Sequence, residues 1–169
     1  MKNMRILVAA IALLLVTSLS FGQGSLGKGR SQLNAGVGFS GWGVPVYIGF
    51  DYGVHPDITL GAEFSFRSYN DRYYGNDYNH SIIGISGNGN YHFNRILNIP
   101  SAFDFYAGLN LGFYVWSSPS EYKGDHTSGL GLNAQVGGRY FFSNNFGLNL
   151  EFGGGSAFSG GKIGITYKF

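Results

Sequence analysis

Only 12% of the 169 residues are charged, so each charge carries information. Asp51, Glu63, Arg67, Asp104, Arg139 and Glu151 sit among apolar residues and glycines. Charges in such surroundings must be paired and hydrogen-bonded, because an isolated buried charge is too costly. Both signs occur, so the chemistry on offer is an internal ion-pair network. Arg139 and Glu151 flank the Ser143-Asn144-Asn145 turn at similar distances and are expected to meet across neighbouring strands. His126-Thr127-Ser128 sets an imidazole two residues from a hydroxyl, on one side of an extended chain, as a nucleophile and its base require. The orienting acid is missing, since the next carboxylate is Glu151. His55, His80 and His92 share no metal-ligand spacing. Asp71, Asn76, Asp77 and Asn79 do not follow the order of a calcium loop, and their polarity is that of solvated chain. No metal or cofactor is expected. Tyr69, Tyr73, Tyr74 and Tyr78, set among Asn, Asp and Gly, make an adaptable contact surface of the kind found in antibody loops.

The elements that must position these residues are strands. Side chains of a strand alternate between its faces, and eight segments alternate in this way. The clearest is 103–116, where Phe103, Phe105, Ala107, Leu109, Leu111, Phe113 and Val115 share one face. Asp104, Tyr106, Gly108, Asn110, Gly112, Tyr114 and Trp116 share the other. The remaining segments are 32–40, 44–54, 58–68, 81–93, 130–142, 146–154 and the terminal strand from Lys162. No helical segment separates them. The short connections include His55-Pro56-Asp57 and Ser143-Asn144-Asn145, while residues 69–80 and 117–129 read as long polar loops. The last strand puts Ile163, Ile165, Tyr167 and the terminal Phe169 on one face, opposite Lys162, Gly164, Thr166 and Lys168.

Composition agrees. With 29 glycines, 15 phenylalanines and 12 tyrosines the chain favours sheet over helix. Cysteine is absent, so no disulfide framework is available. At the N-terminus Lys2 and Arg5 precede an apolar run at 6–16 and small residues suited to cleavage after Ser20 or Gly22. Residues 1–22 are therefore expected to be a cleaved signal peptide, 23–30 a flexible leader, and 31–169 the folded domain. The formal charge of +2 includes Lys2 and Arg5, and removing them leaves none, so no basic surface argues for nucleic acid. Mean hydropathy near zero is what alternating strands average to.

The same alternation suits a soluble barrel with its apolar face inward. Here the second face carries glycine, asparagine and single charges, with few of the Lys and Glu that solvate a water-facing exterior. That arrangement fits an apolar face turned to lipid and a lumen packed with small and polar side chains. Aromatic residues cluster near the strand ends, where interfacial girdles need them. Eight strands enclose an interior just wide enough for side chains.

With its export signal, eight alternating segments and terminal aromatic, the chain resembles the small outer-membrane β-barrel family exemplified by OmpX and the membrane domain of OmpA. The resemblance spans residues 31–169 and implies an all-β, eight-stranded, antiparallel up-and-down transmembrane barrel in the bacterial outer membrane. It implies both termini on the periplasmic side and a monomer surrounded by membrane lipid and lipopolysaccharide. Ile163, Ile165, Tyr167 and Phe169 would be the signal read by the barrel-assembly machinery. No peptidoglycan-binding domain is expected, as in OmpX. The implied role is non-enzymatic, in envelope structure or surface contact. The alternative is a narrow conduit for small or hydrophobic solutes, as in OmpW-like barrels. The His-x-Ser pattern also resembles that of the lipid A deacylases. In those enzymes a carboxylate follows about a dozen residues later, where this chain has Arg139-Tyr140-Phe141.

Overall fold

The computed structural model describes residues 24–41, 43–73, 76–119, 128–156 and 159–169, and the side chains of residues 71, 73, 76 and 77 are outside the description. The expected signal segment therefore lies outside the described residues, as do Trp42, Tyr74 and His126. Eight strands follow one another: β1 (Ser31–Ser40), β2 (Val46–His55), β3 (Ile58–Tyr73), β4 (Asn76–His92), β5 (Phe103–Ser117), β6 (Gly129–Phe141), β7 (Phe146–Gly155) and β8 (Gly160–Lys168). Each pairs antiparallel with the next, and β8 returns to β1 to close an up-and-down barrel. No helix occurs among the described residues.

The barrel is inside-out relative to a soluble protein. Along β5, Leu111 is 57% exposed while its neighbour Asn110 is 4% exposed. The same alternation exposes Leu33, Ile48, Leu60, Ile85, Leu132, Leu148 and Ile165 around the circumference. The buried set is mostly polar, including Gln32, Thr59, His92, Asp104 and Thr166. An apolar exterior with a hydrogen-bonded interior and no open edge is the form in which a sheet can cross lipid.

Aromatic rings form a girdle near the end of the barrel that carries both termini. Phe146 lies 5.0 Å from Tyr167, Tyr167 6.2 Å from Phe169, and Phe169 6.4 Å from Phe50. Farther round, Tyr140 packs 5.1 Å from Phe103, and Tyr91 meets Phe93 edge-on at 5.3 Å.

Two expectations need correction. Residues 69–80 are not a polar loop, because the β3–β4 ladder continues beyond Ser68↔Ser81 to Tyr73↔Asn76. The segment reads as a loop because both its faces are polar, although its backbone pairing is unbroken. The leader is not flexible from Gly24 onward. Leu26 is fully buried, Gly29 donates its N–H to the Gly53 carbonyl at 2.7 Å, and the Gly53 N–H donates to the Arg30 carbonyl at 3.0 Å. Lys168 reaches from β8 to donate to the Gly24 carbonyl at 2.8 Å, so the leader closes the terminal end of the lumen.

Candidate functional site

The lumen holds the chemistry, and its charges lie in layers. Arg139 on β6 is the centre of the layer nearer the termini. Its guanidinium donates to Asp51 on β2 at 3.0 Å and to Asp104 on β5 at 3.0 Å. Its carbon lies 4.3 Å from the centroid of the Tyr106 ring. Asp51 also accepts from Asn34 at 2.9 Å. His92 Nδ1 lies 2.7 Å from Asp104, and its Nε2 lies 3.0 Å from the Thr59 hydroxyl. One buried cation thus serves two buried carboxylates, each of which has a further hydrogen-bond partner. That is the condition under which burying charge is tolerable.

The second layer is built on Lys162 of β8. Its ammonium meets Glu63 of β3 at 2.7 and 2.9 Å and Glu151 of β7 at 3.2 Å. Tyr106 donates its hydroxyl to Glu151 at 2.9 Å, joining this layer to the first. Two cavities of about 20 Å³ both border Tyr47, Glu63, Glu151 and Lys162, and each has room for about one water. Gly137 makes the packing possible, since a Cβ there would stand 2.3 Å from Tyr106. Further from the termini, Arg67 is buried and donates to Ser40 Oγ at 3.3 Å, and His80 lies 2.8 Å from Ser118 Oγ.

All six lumen charges anticipated from the sequence line the interior, but they are partnered differently. Arg139 does not meet Glu151. The ladder sets Arg139 opposite Asn149 and Glu151 opposite Gly137, two positions out of step. On its other side Glu151 stands directly across from Lys162. Lys162 and Lys168 are the functional members that the six leave out. Both belong to the inward face of the last strand, and charge balance points to them. Four lumen acids, Asp51, Glu63, Asp104 and Glu151, stand against two arginines until these lysines are counted.

The sequence matches no protein-family model and no curated protein. Solved structures do match. OprG of Pseudomonas aeruginosa superposes with a TM-score of 0.66 at 12% identity, covering 88% of this chain and 99% of its own. The N-terminal β-barrel domain of Pseudomonas aeruginosa OprF gives 0.59 at 18% identity, covering 85% and 99%. Ail of Yersinia pestis gives 0.54 at 13% identity, covering 84% and 100%. The fold is that of the small outer-membrane barrels. The β3–β4 hairpin stands at the end of the barrel opposite Ser31 and Phe169.

The four tyrosines belong to that hairpin. Tyr69 and Tyr78 are half-buried, and the Tyr69 ring stacks 6.2 Å from His80. The Tyr73 side chain and all of Tyr74 are outside the described residues. Ile163, Ile165, Tyr167 and Phe169 are exposed on the outer face of the barrel, with the last two in the aromatic girdle at the terminal end. Of the His-x-Ser pattern, Ser128 is described, and its hydroxyl oxygen accepts the Trp116 N–H at 3.0 Å. Thr59, His92 and Asp104 follow the order of a nucleophile, base and orienting acid. Thr59 is wholly buried, however, so its hydroxyl presents nothing to a substrate.

Proposed function

We propose that the protein is a monomeric, non-enzymatic outer-membrane barrel that acts through its outer surface, in envelope structure and contact with other surfaces. The observation that carries this reading is the contrast between a filled lumen and a projecting wall. Two linked ion-pair layers occupy the interior, and the docked leader adds a third closure. Meanwhile β3 runs on past Phe66, the last residue that β2 pairs, and β4 extends past Ser81, the last that β5 pairs. Among the described residues no strand flanks this hairpin arm. A rigid scaffold that lifts a polar, tyrosine-bearing edge away from the membrane is suited to recognition. Membrane lipid and lipopolysaccharide surround the belt, and the assembly machinery reads the strand that ends in Phe169.

The test is to replace residues 70–79 with a short turn and compare the two barrels. Cells displaying either form are scored for retention on immobilised glycans and matrix proteins, and the purified barrels for conductance in planar bilayers. Retention lost on shortening, with both barrels electrically silent, supports surface contact. Equal retention together with steady conductance supports the narrow-conduit reading instead.

A further inference from the structure

The connection between β4 and β5 carries two large apolar side chains outside the lipid-facing strands. Ile96 is 66% exposed and Leu97 65%. They do not sit on a loose loop. Leu97 N–H donates to the Phe93 carbonyl at 3.0 Å and Ile99 N–H to the Asn94 carbonyl at 2.9 Å, forming one helical turn. Asn98, at φ 50°, ends it in the left-handed conformation usual after a helix. The Asn94 side chain donates to the Phe103 carbonyl and accepts the Phe105 N–H, tying the turn to the start of β5. Arg95 is paired with Asp57 across the mouth at the terminal end.

In a helical turn, residues three and four apart lie side by side. Phe93, Ile96 and Leu97 therefore share a face, and Arg95 lies off it. Phe93 is a member of the aromatic girdle through its contact with Tyr91. The apolar surface of the barrel thus continues one turn beyond the girdle, at the terminal end, without a break.

We propose that this turn is an interfacial foot: Ile96 and Leu97 are seated among the headgroups of the periplasmic phospholipid leaflet. The occupant is lipid because the surface is continuous with the lipid-facing girdle and is held rigid in that position. The proposal rests on the membrane-barrel reading, so the test separates the two. In a W42F/W116F background, single Ile96→Trp, Leu97→Trp and Leu111→Trp variants are folded into phosphatidylcholine vesicles. Fluorescence is then quenched with lipids brominated near the headgroup or near the chain ends, and with aqueous acrylamide. Leu111→Trp, in mid-belt, should be quenched most by the deep bromines. Ile96→Trp and Leu97→Trp should be blue-shifted, quenched most by the shallow bromines and shielded from acrylamide by severalfold. Full acrylamide access and no bromine quenching at Ile96→Trp and Leu97→Trp, with Leu111→Trp behaving as expected, overturns the foot alone. Failure of Leu111→Trp as well overturns the membrane reading.

Discussion

β7, β8, β1 and β2 are 10, 9, 10 and 10 residues long, whereas β3, β4 and β5 run to 16, 17 and 15. A tilted strand needs about 9–11 residues to cross a bilayer. The short wall is therefore membrane-spanning from end to end, and the tall wall carries an excess that stands outside. The two follow different sequence rules. Within the membrane one face meets lipid and the other a packed lumen, so apolar and polar residues alternate sharply. In the arm, Ser68 and Asn70 face outward and are bridged by the Asn79 amide, at 3.1 and 2.7 Å, where lower on the same strands the outward positions are phenylalanine and isoleucine. Lipid, not strand formation, imposes the apolar face.

The largest effect expected from this contrast lies in the lumen. Arg139→Ala leaves Asp51 and Asp104 buried without their cation, and should cost about 3–5 kcal/mol in urea unfolding from lipid vesicles. A loss below about 1 kcal/mol would mean that the lumen is hydrated like the arm and that the contrast is false.

An intermediate effect separates the outward faces. Leu111→Arg, in mid-belt, should destabilise by roughly 2–4 kcal/mol. Asn70→Arg, on the outward face of the arm, should fall within about 0.5 kcal/mol of the parent. Equal costs in the same unfolding measurement would place the arm in lipid too.

The smallest effect belongs to the tyrosines. Replacing Tyr73, Tyr74 and Tyr78 together with Ser should leave heat-resistant folding on gels unchanged, within about 0.5 kcal/mol, while reducing surface retention. Blocked folding would identify those rings as interface anchors.

The contrast also explains what could be read from the sequence. Strand boundaries from β5 to β7 fall within one residue of expectation, because lipid and lumen write alternation directly into residue type. The arm was hidden since water on both sides leaves no period to detect. The inward placement of Asp51, Glu63, Arg67, Asp104, Arg139 and Glu151 was legible from the same alternation. Their partners were not. Lys162 and Glu63 are 99 residues apart, and Arg139 and Asp51 are 88 apart. Which charges share a level depends on strand stagger around the closed sheet, a property that no single segment contains. The docked leader was missed for a similar reason. A glycine-rich stretch looks mobile until Leu26 is seen to be buried and Gly24 to be held by Lys168.

One feature of the ladder joins the two ends of the domain. Ser31 donates its N–H to the Phe169 carbonyl at 3.2 Å and accepts the Phe169 N–H at 2.9 Å. In hydrogen-bonding terms the eight strands thus form a closed ring in which the residue that opens β1 is paired with the residue that follows β8. A permuted chain, joined from 169 to 31 by a short linker and reopened at residues 143–145, would retain each pairing of strands. It would also move the aromatic Phe169 from a chain terminus to an interior position. Such a permutant tests the proposed assembly signal: unimpaired export would mean that the aromatic serves as a rung of the closed sheet and not as an end to be recognised.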